Sequence, residues 1–150
     1  MRIPRVYLGT MTFGWQQSSS PIDVSTASEM LKLFSAASLF HVDTARIYSG
    51  GVCEAILGDA VRASGVKGTF KVGSKAHPSQ GSLSSTSIAE QLAKSLRESK
   101  LDCLDEYYLH SPDSETPLLE SLMYLHSQVQ SGKIKVRSRE ATSWASVAHG

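Results

Sequence analysis

Apolar runs of strand length alternate with segments of helical period along most of the chain, a pattern that predicts βα units and a parallel sheet. Val6-Tyr7-Leu8 reads as a first short strand ending at Gly9. A loop through Gly14, Ser18-Ser19-Ser20 and Pro21 follows, long enough to act as a lid or pocket wall. Val24, Ala27, Leu31 and Phe34 share one helical face, and Asp23 can cap the free N–H groups at its start. Leu39 to Asp43 is a second strand, and Glu54 to Arg62 a second helix closed by Ser64-Gly65. Thr69 to Gly73 is a third strand, running on into Lys75. Ser84 or Ser85 opens a third helix with Ile88, Leu92 and Leu96 aligned, and Leu104 to Leu109 is a fourth strand. Thr116-Pro117 then starts a fourth helix whose stripe is Leu118, Leu122, Leu125 and Val129, stopped by Gly132. Ile134-Lys135-Val136 begins a fifth strand.

Beyond Val136 neither period continues. The segment from Arg137 to Gly150 therefore reads as a divergent tail behind one βα-repeat region, 1–136, and as an out-of-frame or alternatively spliced end. Composition adds little to this picture but excludes much. With 41% hydrophobic and 19% charged residues and a net charge of +1, the 150 residues describe an ordinary globular domain. The even mixing of charge argues against nucleic acid or anionic lipid as partner and for a small molecule. The N-terminus has no sustained apolar stretch, and nothing approaches the roughly 18 apolar residues of a membrane span, so a cytoplasmic location is expected. Cys53 and Cys103 have no ligand-type spacing, and two reduced, buried thiols are expected rather than a metal site.

In parallel α/β architectures ligands bind beyond the carboxyl ends of the strands. Asp43 ends the second strand with Tyr48 in the next loop, Lys75 follows the third, and His110 follows the fourth. Taken singly, each has an ordinary role as cap, half-buried aromatic, solvated cation or strand-end imidazole. Together they suit carbonyl reduction, in which the carbonyl oxygen gains negative charge and an acid must neutralise it. A free tyrosine, titrating near roughly 10, is a poor acid at neutral pH unless a cation stabilises its phenolate. Lys75 would supply that cation, Asp43 would hold Lys75 charged and oriented, and His110 would donate a hydrogen bond to the carbonyl.

These residues lie in Leu8-Gly9-Thr10-Met11-Thr12-Phe13-Gly14, Val42-Asp43-Thr44-Ala45-Arg46-Ile47-Tyr48-Ser49-Gly50-Gly51, Glu54-Ala55-Ile56-Leu57-Gly58, Lys75-Ala76-His77-Pro78 and Tyr108-Leu109-His110-Ser111-Pro112-Asp113. In order and spacing they resemble the aldo-keto reductases, and most closely the aflatoxin-aldehyde reductase branch, over about residues 5–136. The resemblance implies a (β/α)8 TIM-barrel fold cut to its first four to five βα units. It also implies NADPH as cofactor and an aldehyde or ketone as substrate. By the same resemblance Tyr48 is the general acid, Lys75 and Asp43 its tuning pair, and His110 sits at the carbonyl. Asp43, Gly9, Thr10 and Met11 then approach the cofactor, while Phe13 and Trp15 wall the aldehyde pocket. The family's later cofactor-binding motifs find no match, so activity is expected to be impaired. The alternative is a catalytically dead fragment or interaction module, as in channel-associated relatives. Open sheet edges would favour a homodimer. Glu106, placed in an apolar strand, would be costly if buried without partners.

Overall fold

The computed structural model describes residues 5–66 and 70–135. The elements run β1 (Tyr7–Gly9), α1 (Val24–Ala36), β2 (His41–Asp43), a 3-10 turn (Tyr48–Gly51), α2 (Cys53–Ser64) and β3 (Lys71–Ala76). A short 3-10 turn (Pro78–Gln80), α3 (Ser85–Ser99), β4 (Glu106–Leu109) and α4 (Leu118–Gln130) complete them. The strands form one parallel sheet in the order β1-β2-β3-β4, each pairing with its successor in the chain. Ile134, where the sequence places the start of a fifth strand, makes an isolated parallel bridge to Leu104, just before β4. The parallel βα order is the one the alternation predicts, and it forms the first half of a (β/α)8 barrel, as the resemblance implies. The tail 137–150 lies outside the described residues.

Capping follows local chemistry. Asp23 accepts the Thr26 N–H at 2.8 Å to start α1. Ser84, rather than Ser85, accepts the Ser87 N–H to start α3. Gly65, with φ +73°, closes α2 in the left-handed conformation that glycine adopts without steric cost. The fourth helix departs from expectation at its start, where Pro117 occupies the N-cap with no side-chain cap bond and Thr116 does not cap.

Alternation along the strands separates two faces. Leu8, Val42, Val72 and Tyr107 point toward the helices and meet Leu31, Leu57, Ile88 and Leu92 in a continuous core. The other set lines the concave face: Tyr7, His41 and Lys71 in one row, and Gly9, Asp43, Gly73 and Glu106 in the next. Glu106 is satisfied there, accepting the Tyr7 hydroxyl at 3.1 Å and the Tyr108 hydroxyl at 2.6 Å, with Arg5 at 3.7 Å. Its position on the concave face, not the helix face, removes the expected cost. The α4 stripe also differs from its reading. Leu118 is 59% and Leu122 47% exposed, beside Leu119 at 68% and Met123 at 65%. The helix packs on α3 and the core through Tyr124, Leu125 and Val129, and leaves this face exposed.

Gly58 sets the spacing between α2 and α3. A Cβ there would lie 2.5 Å from the Ser99 carbonyl oxygen and 2.7 Å from its carbon, both backbone atoms. Gly58→Ala is therefore expected to cost about 1–3 kcal/mol through forced separation of the helices, read as a lowered urea midpoint. An unchanged midpoint would contradict the close approach.

Candidate active site

Asp43 is the last residue of β2, and the chain beyond it stays registered on β3 through Thr44 N–H to Gly73 O at 2.9 Å and Arg46 N–H to Lys75 O at 3.3 Å. It then turns sharply at Tyr48. Lys75 lies inside β3, which continues to Ala76 rather than ending at Gly73, so its side chain rises from a fixed backbone. The Lys75 ammonium donates to Asp43 Oδ2 at 2.7 Å, to the Thr44 carbonyl at 2.9 Å and to the Tyr48 hydroxyl at 3.0 Å. Three acceptors thus use the three donors of one ammonium.

His110 is brought alongside because β4 pairing extends one step, with its N–H on Ala76 O at 2.8 Å. Its ring stands edge-on to Tyr48, with centroids 5.6 Å apart. On its other side His77 stands edge-on at 5.2 Å. His77 lies in the matching segment Lys75–Pro78 but carries no assigned role there. Its place two residues beyond Lys75, just past the end of β3, was the available signal, since alternate residues share a face and the chain is still extended there. The His77 Nδ1 accepts the Ser79 N–H at 3.1 Å, which leaves Nε2 to donate toward Ser111 Oγ at 3.3 Å.

Burial first, then the Lys75 ammonium and His77, push the His110 imidazole below its ordinary value, partly opposed by Asp43. The folded state therefore holds His110 neutral where the unfolded chain begins to protonate. That contribution to stability is present above the ordinary histidine value near ~6.5 and is lost as pH falls. Burial and Lys71 depress His41 in the same direction. The urea midpoint is expected to drop on acidification from about pH 8 to about pH 5. A shallower drop in His110→Gln checks the assignment, and parallel curves would refute it.

Gly9, Thr10 and Met11, expected from the resemblance to approach the cofactor, end and follow β1. A Cβ on Gly9 would meet nothing within 4 Å, so the end of β1 beside Asp43 is open. Thr10 is buried, with its N–H and hydroxyl both 3.0 Å from Asp43 O. Met11 is exposed, and its carbonyl accepts Ser49 Oγ at 2.8 Å. Trp15 is exposed in the loop, its indole N–H on Gln17 at 2.9 Å. Phe13 corrects the pocket-wall expectation: it is fully buried within the helix-side core, bridged to Ile22.

Beneath the site lies a buried layer of which sequence reading anticipated only Cys53. Cys53 is buried, with Sγ donating to Thr10 O at 3.0 Å, and burial raises its thiol pKa. Cys103 is only half-buried, unlike the expectation for both thiols. Arg46 pairs with Glu54 and also donates to the Gly51 carbonyl, and Glu54 accepts Ser74 Oγ at 2.6 Å. Arg46 lies within the matching segment Val42–Gly51 but was given no role, because a single arginine between a strand and a turn reads as solvated.

Four consecutive parallel βα units with polar side chains gathered at the strand carboxyl ends define a segment of a (β/α)8 barrel of the enzyme type. Residues 5–148 match the Aldo/keto reductase family, and the chain belongs to it. It is 33% identical over 144 residues to aflatoxin B1 aldehyde reductase member 2 of Rattus norvegicus, covering 94% of this chain and 38% of that protein. Against aldo-keto reductase family 7 member A3 of Homo sapiens the identity is 35%, over 87% of this chain and 38% of that one. The crystal structure of an aldo-keto reductase from Klebsiella pneumoniae in complex with NADPH superposes with a TM-score of 0.75 at 27% identity. That superposition covers 89% of this chain and 44% of that one. The chain thus spans about two-fifths of the length of the curated relatives it matches and corresponds to the N-terminal half of the family fold. Among the described residues no helix is long and apolar enough to cross a membrane.

Proposed function

We propose that this site handles the proton in NADPH-dependent reduction of a small aldehyde or ketone, as part of a cytoplasmic oxidoreductase. One observation carries the reading: a single ammonium, Lys75, contacts Asp43, Thr44 O and the Tyr48 hydroxyl at once. Tyr48 gives its proton to the oxygen that becomes the alcohol, and the adjacent cation stabilises the phenolate left behind. Asp43 balances the ammonium and fixes its direction. His110, neutral, positions the carbonyl oxygen by hydrogen bonding.

NADPH, when bound, supplies the hydride. The open space at Gly9 beside the Asp43 carboxylate suits a flat ring, so Gly9, Asp43 and Met11 would hold the nicotinamide end, with Trp15 at the aldehyde, while Thr10, fully buried and bonded to the Asp43 carbonyl, stands behind them. The test is an NADPH titration by Trp15 fluorescence, followed by NADPH oxidation with a small aromatic aldehyde and a Tyr48→Phe control. Saturable binding and Tyr48-dependent turnover support the reading. Binding with turnover indifferent to Tyr48, or no binding at all, overturns it.

A second reading is an interaction module that retains the half-barrel without turnover. The uncovered α4 face of Leu118, Leu119, Leu122 and Met123 favours it. The same face, with the open edge of β1, is where a homodimer would form, and a sedimentation measurement separates dimer from monomer.

A further inference from the structure

The turn that carries Tyr48 is built from uncommon backbone. Ser49, Gly50 and Gly51 follow one another at φ +51°, +67° and +95°. For a serine that conformation is sterically disfavoured, so the turn needs to be held from outside. Two clasps hold it. Ser49 Oγ donates to Met11 O on one side. On the other, the Arg46 guanidinium reaches across the base of the turn to the Gly51 carbonyl and pairs with Glu54 at the start of α2. Both partners are almost wholly buried, with side chains 3% and 1% exposed. Glu54 also accepts Ser74 Oγ at 2.6 Å, and Ser74 immediately precedes Lys75 in β3. The Arg46 N–H itself bonds Lys75 O at 3.3 Å. Gly51 must lack a side chain, because a Cβ would fall 2.6 Å from Arg46 Nη2.

We infer that the Arg46–Glu54 pair is a positioning clamp. By fixing both ends of the Tyr48 turn to the strand residue before Lys75, it sets the contact between the Tyr48 hydroxyl and the Lys75 ammonium. Neither residue touches the reacting atoms. The forked guanidinium is needed, since one planar group must serve a carboxylate and a carbonyl in different directions, which a lysine ammonium at that distance cannot do equally. The inference rests on the proposed role of Tyr48 and Lys75, and its test is separable from that role.

The experiment uses 19F NMR of the chain with 3-fluorotyrosine at its five tyrosines, the Tyr48 line being the one lost in Tyr48→Phe. Lys75→Met sets the shift that marks loss of the ammonium contact. In Arg46→Met/Glu54→Met, which buries no lone charge, the Tyr48 line is expected to move toward the Lys75→Met position. In Arg46→Lys it should lie between that position and wild type, while the melting profile stays cooperative. In turnover the same variants should lose kcat with KM for NADPH retained. If Lys75→Met moves the line and neither Arg46 variant does, the clamp alone is overturned. If Lys75→Met leaves the line in place, the Lys75–Tyr48 contact falls, and both the clamp and the proposed function fall with it. Should the double variant fail to fold, Arg46→Lys decides.

Discussion

Tyr48→Phe is expected to lower kcat by about 10²–10⁴-fold while leaving NADPH affinity and KM nearly unchanged, the loss typical of removing a general acid. The substitution deletes one oxygen and keeps the ring, so the edge-on contact with His110 survives. Lys75 retains Asp43 and Thr44 O as partners, so no buried charge is stranded. The stability change is therefore expected to stay within about 1 kcal/mol, the scale of one net hydrogen bond. Steady-state rates beside urea curves check both halves. A variant with kcat within about twofold of wild type would mean that another group delivers the proton.

The largest stability effect is expected at Arg46→Met. Removing the guanidinium leaves the Glu54 carboxylate buried with only Ser74 Oγ as a named donor, and breaking a buried pair from one side costs about 3–5 kcal/mol. Against total stabilities of roughly 5–15 kcal/mol, that removes about a third or more of the margin at mid-range and most or all of it at the low end. The double variant Arg46→Met/Glu54→Met should recover most of the loss, because two apolar side chains replace two desolvated charges. Urea midpoints of wild type, Arg46→Met, Glu54→Met and the double variant close the cycle and give the coupling. Equal midpoints for the single and double variants would mean that water reaches the pair and relieves it.

Much of the architecture was legible because strands and helices write their periods into the chain. Val42 and Asp43 at the end of β2, or Ile88 and Leu92 on α3, could be assigned by alternation and stripe alone. The cluster of Asp43, Tyr48, Lys75 and His110 was legible because parallel strands deliver their carboxyl ends to one side, whatever the loops do. Other features depend on which neighbour occupies a face. The α4 stripe has the spacing of a buried one, yet Leu118 and Leu122 are exposed, and period cannot say whether a partner element is present. Phe13 sits in a loop that reads as a pocket wall but folds back onto Ile22. Arg46 and Glu54 pair in the interior, where charge is rare enough that a sequence reading places it outside.

The sheet order β1-β2-β3-β4 has a consequence for biosynthesis. Every strand finds its partner in the strand made just before it, and α2 packs on α1 before α3 packs on α2. No pairing in this region waits for a distant segment, so the units can dock in the order in which they leave the ribosome, at about 5–20 residues per second. Asp43, Tyr48, Lys75 and His110 would thus be assembled on a nascent chain while later residues are still being translated, and a pause after His110 has emerged would hold this cluster already folded at the ribosomal exit.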